Sequence, residues 1–235
     1  MELPSWTGSS APRWVASGRP ILIATRSSGK LRELDELFKE LKVNAIDVTS
    51  FGIPYDPEEE EIESHDTFVE NAIAKARYFN RASGGLPTIG DDSGLEVDAL
   101  RGAPGVLSKR FAGRSDLRGQ ALDDANNSKL LVELAGADTV ALREGRSPVR
   151  RTARYRCAAA FVDGSDEIIR EGAIEGRIID IPRGSDGFGY DPYFEAHELG
   201  GTFAEASWKA KSRVSHRGRA FRTLLLALRE AGKIG

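Results

Sequence analysis

The 235-residue chain holds a single cysteine, a single methionine and three histidines. One thiol cannot close an intrachain disulfide or build a cysteine-based zinc cage, so Cys157, embedded in "RYRCAAAFV", reads as strand packing. No apolar run is long enough to span a bilayer, and the first eighteen residues, "MELPSWTGSSAPRWVASG", lack the apolar stretch of a signal peptide. Residues 1–18 therefore read as a mobile extension outside the fold of a cytoplasmic protein. An excess of positive charge is missing as well. The net charge is −3 and the pI about 5.8, which excludes a whole-protein electrostatic footprint for nucleic acid or membrane and leaves only a local basic site. What is present is 40% apolar residues over 235 positions, enough to bury the core of a soluble globular protein as one large domain or two lobes.

Hydrophobic spacing orders the rest. "ILIAT" is a buried-type strand, and Leu31, Leu34, Leu37, Phe38 and Leu41 recur at helical spacing over residues 28–41, with Ser28 as the expected cap. "VNAIDV" is the next strand. An acidic loop, "PYDPEEEEIESHD", leads to a helix announced by Thr67 and Glu70 as a capping box and running to about Ala82. "LPTIG" is a strand expected to break at "DDSG" and resume as "LEVDAL". A helix covers about 117–135, and "ADTVALREGRSPVRR" reads as a charged loop or insertion carrying Pro148. "TARYRCAAAFV" and "EIIREGAIEGRII" flank "DGSD" as a hairpin, and the last helix puts Phe221, Leu224, Leu225 and Leu228 on one face before Gly232. Interleaved strands and helices with one hairpin imply an α/β fold with a mixed sheet. No internal repeat is visible.

Several short stretches carry chemistry. Between "ILIAT" and its helix, "RSSGK" resembles a phosphate loop, yet Ala24 replaces the first glycine of the Walker A pattern and Leu31 replaces the hydroxyl residue after Lys30. What survives is a loop of small residues presenting backbone N–H groups beside a lysine, or else an ordinary strand-to-helix turn. "GDDSG" sets Asp91 beside Asp92, so in a strand one would face a cleft while the other holds backbone or a cation; a plain turn has the same composition. The acidic run Glu58–Glu61 with Glu63 is by default a solvated loop, but Mg²⁺ needs only one or two carboxylates, and Glu63 with Asp92 would suffice. "GFGYDP" fails as a dinucleotide fingerprint because Pro192 stands at the last glycine. Phe188 and Tyr190 around Gly189 could hold a planar base, with Asp191 as acceptor for a ring N–H, or could be a packed aromatic turn. "KAKSRVSHRGRAFR" gathers Lys209, Lys211, Arg213, Arg217, Arg219 and Arg222 around His216, which suits a nucleic-acid patch, a solvated helix face or a triphosphate site. His65 and His197 sit in polar loops without an assigned role.

Taken in order from Ile21 to Arg229, "ATRSSGKLREL", "TFVENAIAKA", "DDSGLEVDALRGAPGVLSKRFAG", "GFGYDPYF", "TFAE" and "KSRVSHRGRA" resemble the successive signature blocks of the inosine triphosphate pyrophosphatase family. The resemblance implies a homodimer of a two-lobed α/β protein, residues 19–235, with a long mixed sheet flanked by helices and a Mg²⁺-dependent substrate cleft between the lobes. It implies hydrolysis of nonstandard purine nucleoside triphosphates at the α-phosphate, giving monophosphate and pyrophosphate. On that pattern Thr25, Arg26, Ser27, Ser28, Gly29 and Lys30 hold the triphosphate, Glu63 and Asp92 carry the metal, Asp92 also activates water, and Ser93 touches the substrate. Phe188, Gly189, Tyr190, Asp191, Lys211, His216 and Arg217 form the base site. The chain departs from the pattern in Ser27, where the family usually has Asn, in a longer segment over residues 137–150, and in the unmatched extension. Two other functions compete: a pyrophosphatase for another modified nucleotide, and a non-enzymatic nucleic-acid-binding protein built on the 209–222 cluster.

Overall fold

The computed structural model describes residues 19–234, so the extension expected over residues 1–18 lies outside the described residues. In chain order the elements are β1 (Ile21–Ile23), α1 (Ser28–Glu40), β2 (Ala45–Asp47), α2 (Val48–Phe51), α3 (Phe68–Ala82), β3 (Thr88–Val97), α4 (Gly119–Arg143), β4 (Thr152–Asp163), β5 (Asp166–Ile178), β6 (Phe194–Ala196), β7 (Gly201–Thr202), α5 (Trp208–Val214) and α6 (His216–Glu230). The strands form one mixed sheet in the order β2-β1-β3-β4-β5-β6-β7. β1 runs parallel to both β2 and β3, and every other pairing is antiparallel. This is the α/β architecture implied by the alternation of strand and helix patterns.

Three local expectations are corrected. The strand expected to break at "DDSG" is continuous: all ten residues of β3 pair with β4, Asp91 opposite Ala159 and Asp92 opposite Ala158. The small alanines across the ladder leave room for two carboxylates, so the backbone has no reason to turn. The segment expected as a loop from residue 137 instead continues α4 to Arg143. Its last turns are held because Asp138 accepts from Val149 N–H at 2.8 Å and from the Arg151 guanidinium, folding the following connection back on the helix. The cap of α1 is Ser27, one residue earlier than expected, accepting from Lys30 N–H. Thr67 caps α3 as its spacing predicts.

Side-chain alternation on β3 and β4 explains where the site sits. On one face, Ile89 and Phe161 pack with α1 and α6 through Leu34, Leu37, Phe221 and Leu225. Further along the same face, Leu95 and Tyr155 pack with Leu130 and Leu134 of α4 and with Phe194 and Phe203. Asp91 and Ser93 point out between these two apolar clusters, so a polar interval is built into the middle of one strand. The opposite face is covered by α3 through Phe68, Ala72 and Ala76 against Ala158 and Ala160. Here Gly90 is obligatory: a Cβ would meet Ala72 O at 2.6 Å and Ala76 N at 2.7 Å. That close approach brings Asn71 and Lys75 of α3 directly over the carboxylate end of β3. Among the described residues no helix is long and apolar enough to cross a membrane.

Candidate active site

The loop from Thr25 to Lys30 enters α1 with its backbone ordered by its own side chains. Thr25 Oγ1 accepts from Ser27 N–H at 3.2 Å, and Ser27 Oγ accepts from Lys30 N–H. Ser28 and Gly29 open the helix itself, where N–H groups lack intrahelical partners. Lys30 Nζ lies 3.0 Å from Asp91 Oδ2. Arg26 is otherwise engaged: its guanidinium is bidentate on Glu59 at 2.7 Å and also reaches the carbonyl of Pro54. Gly29 packs against the Phe188 ring, with 2.7 Å from a would-be Cβ to Cδ1, so the phosphate-type loop and the glycine-rich loop touch.

The acidic side chains divide by partner. Asp91, 1% exposed, is also 3.1 Å from Arg217 Nε. Burial works against its charge, but Lys30 and Arg217 prevail and hold its carboxyl below the ordinary range. Arg217 further bonds Glu33, and its Nη2 donates to Ser93 Oγ at 2.7 Å. Glu33 pays for burial with Lys211 and Arg217 nearby, and its pKa falls to about 2. Asp92 differs. It is 7% exposed, accepts from Asn71 Nδ2 at 2.9 Å and from Ser93 N–H at 2.8 Å, and its pKa is raised by burial and by the neighbouring charge of Glu63. Glu63 in turn pairs with Lys75, whose Nζ also donates to Asp91 O at 2.9 Å. Against burial, Lys75 and Lys30 lower the Glu63 pKa.

Sequence reasoning did not single out Glu33, Asn71, Lys75 or Lys109. Asn71 and Lys75 lie four apart inside "TFVENAIAKA", one turn on one helix face, and that spacing beside the capping box was the available signal. Lys109 projects from a 3-10 turn, Gly105–Arg110, and has no carboxylate within ion-pair range among the described residues. Desolvation and the like charges of Lys30 and Lys75 lower its pKa. Three ammonium groups thus lie near the carboxylates of Glu63, Asp91 and Asp92, a field that suits a polyanion with a cation. Among the described residues no group of three or more His, Cys, Asp or Glu side chains is placed to bind metal; Glu63 and Asp92 make an all-oxygen pair. A pair is the protein share that Mg²⁺ takes when phosphate oxygens and water complete its shell.

The residues expected at the base side are less open than the sequence suggests. Phe188 is half-buried beside Lys211 and Arg217, with Nζ and Cζ 4.9 and 5.9 Å from its ring centre. Tyr190, by contrast, is a core residue whose hydroxyl donates to Ser108 O at 2.8 Å, so it offers no open stacking face. Asp191 is buried with Oδ2 on Lys211 Nζ at 2.6 Å and on Phe188 N–H at 2.9 Å. Its Oδ2 orders the loop, and Oδ1 has only the Tyr155 hydroxyl at 3.5 Å. His216 stacks on Tyr155 at 4.7 Å, and burial with Arg217 nearby drives its pKa well below the ordinary value, leaving it neutral. Of the basic run, Lys211 and Arg217 are buried in these contacts, while Arg219 pairs with Glu198 and Arg222 with Glu40. Lys209 and Arg213 remain exposed without an ion-pair partner among the described residues, so two of the six cations are left open at the surface.

The family model described as the Ham1 family matches residues 21–227. The dITP/XTP pyrophosphatase of Thioalkalivibrio sulfidiphilus is 45% identical over 208 residues, covering 87% of this chain and 96% of that protein. The dITP/XTP pyrophosphatase of Burkholderia pseudomallei is 42% identical over 213 residues, covering 89% and 93%. Among solved structures, a HAM1 protein from Coxiella burnetii is similar with a TM-score of 0.74 at 36% identity, covering 91% of this chain and all of that one (100%).

Proposed function

The chain belongs to the Ham1 family, and we propose that it hydrolyses nonstandard purine nucleoside triphosphates, dITP, XTP and ITP, to the monophosphate and pyrophosphate. The observation that carries this reading is the gathering of Lys30, Lys75 and Lys109 about Glu63, Asp91 and Asp92, with Lys30 on Asp91, Lys75 on Glu63 and Lys109 without an ion-pair partner among the described residues, a charge pattern that suits a compact polyanion with its cation. The loop Thr25–Lys30 supplies backbone donors to the phosphates and the three lysines supply charge. Glu63 and Asp92 would hold Mg²⁺, which when bound neutralises phosphate charge. Asp92 takes the proton of the attacking water as its oxygen bonds to the α-phosphorus and the bond to the β-phosphate bridging oxygen breaks. Asn71 fixes the Asp92 carboxylate for that transfer. Ser93, held by Arg217, borders the reacting phosphate. Positioning and charge stabilisation supply most of the rate in such transfers.

Phe188 with Lys211, His216 and Arg217 forms the base side. A 6-keto, N1–H purine edge reverses the donor and acceptor order of adenine, and a mismatched polar site rejects its analogue by ~10⁴. A two-lobed body over residues 19–235, a homodimer and a cytoplasmic location belong to the same reading and rest on the family resemblance; light scattering of the purified protein tests the dimer. Pyrophosphate release measured across ITP, dITP, XTP, GTP and ATP tests the function. Preference for the first three supports it, and equal turnover of ATP overturns it.

A further inference from the structure

The backbone of Gly189 is gripped from one side by a single helix. Asp123 Oδ2 of α4 accepts from Gly189 N–H at 2.9 Å, and Asn127 Nδ2, one turn later on the same face, donates to Gly189 O at 2.9 Å. The first bond fixes the peptide plane between Phe188 and Gly189, and the second fixes the next plane. Asp191 takes the Phe188 N–H, so the peptide planes on both sides of Phe188 are held. Asn127 is 5% exposed and its Oδ1 has no partner, so the bond to Gly189 O is the one side-chain hydrogen bond this buried amide makes among the described residues. Turning the amide over would set oxygen against oxygen, which fixes its orientation chemically. The pair is not needed to seat α4. Leu130 and Leu134 are fully buried in the core, and Asn126 separately holds Ala112 N–H at 2.7 Å and Lys109 O at 3.1 Å.

We propose that Asp123 and Asn127 are positioning residues for base recognition: by holding Gly189 through both its backbone groups they set the Phe188 ring over Gly29, and so fix the distance between the base side and the phosphate loop. The proposal rests on the reading of the cleft as a nucleotide site, and it places the effect in one half of that site only. Neither side chain touches substrate. Their loss should therefore weaken what depends on the base and spare what depends on the phosphates.

The test compares KM and kcat for ITP with inhibition by inorganic tripolyphosphate, which fills the phosphate half alone. Asp123→Ala and Asn127→Ala should raise KM for ITP about tenfold, with kcat within about twofold and the tripolyphosphate inhibition constant unchanged. Asp123→Asn keeps an oxygen that accepts from Gly189 N–H and should stay near the parent KM. Asn127→Asp keeps the shape but cannot donate, so it should match Asn127→Ala. Should the alanine variants fail to fold, the two isosteric variants decide alone. The proposal is overturned if tripolyphosphate inhibition weakens in step with KM, if kcat falls with KM unchanged, if Asp123→Asn is as impaired as Asp123→Ala, or if no variant changes KM. A parent protein that turns over ITP and ATP equally overturns the base-selective reading itself before any variant is made, and one that turns over neither overturns the nucleotide reading.

Discussion

Asp91 and Asp92 are neighbours on one strand, point to opposite faces, and have carboxyl groups pushed in opposite directions. Burial penalises the charge of both. Lys30 and Arg217 more than offset that penalty at Asp91, whereas the nearby Glu63 carboxylate adds to it at Asp92. Asp91 is thereby a permanent countercharge for the basic groups. Asp92 is a carboxylate with affinity for a proton or a cation.

Asp92→Asn should lower pyrophosphate release from ITP by roughly 10²–10⁴, the range for loss of a positioned base, while circular dichroism and the melting temperature stay near parental values. Full turnover by this variant would remove Asp92 from the chemistry. Asp91→Asn should behave differently, losing about 3 kcal/mol of stability because it takes a partner from two buried or half-buried cations.

Lys75→Met and Lys30→Ala should weaken every triphosphate alike. A charge-assisted hydrogen bond contributes about 1.5–3 kcal/mol, so KM should rise roughly ten- to a hundredfold for ITP, dITP and XTP with their ratios preserved. A change in base preference with unaltered phosphate affinity would put these lysines at the wrong end of the ligand.

Glu33 makes stability depend on pH. Its folded pKa of about 2 lies below the ordinary 4.5, so its contribution is complete above 4.5 and drains away as pH falls toward 2. Urea midpoints of the parent should therefore drop over that window. Glu33→Gln should be less stable at neutral pH, because Arg217 loses a buried partner, and should show a flatter acid limb. Parallel acid limbs in the two proteins would contradict the assignment.

Gly90→Ala and Gly29→Ala separate rigid from yielding contacts. The added methyl at residue 90 meets helix backbone at 2.6 and 2.7 Å, so α3 must shift and carry Asn71 and Lys75 off the carboxylates. Thermal melts should show a loss of about 1–3 kcal/mol together with lowered activity. At residue 29 the methyl meets the Phe188 ring from Cδ1 to Cγ and not helix backbone, so the ring must be displaced and KM for ITP should rise while stability falls less than for Gly90→Ala.

Order along the chain was legible where one residue type has one use. The helical spacing of Leu31, Leu34 and Leu37 and the hairpin at "DGSD" translate directly into α1 and the β4–β5 pair. The continuity of β3 was not legible, because Asp91 and Asp92 favour turns locally and are kept extended by cations from residues 30, 75 and 217. The length of α4 was hidden for a similar reason: Asp138 looks like loop composition until Val149 and Arg151 return to it. A sequence cannot show that the Tyr190 hydroxyl already donates to Ser108 O and that Asp191 Oδ2 already accepts from Lys211. Lys75 has the sequence context of an ordinary helix lysine, and its contacts lie with Asp91 O in the strand beneath it and with Glu63.

Arg217 joins residues that synthesis separates widely, lying 184 positions after Glu33 and 126 after Asp91. A nascent chain that has not yet released α6 carries Glu33 and Asp91 toward one interior as two like charges with no guanidinium between them, an arrangement that burial forbids. The sheet face beneath that helix, Ile89 and Phe161, also lacks its Phe221 and Leu225 cover until α6 docks. A chain that stops before residue 217 lacks the guanidinium that joins Glu33, Asp91 and Ser93, so it should neither close this face nor turn over ITP.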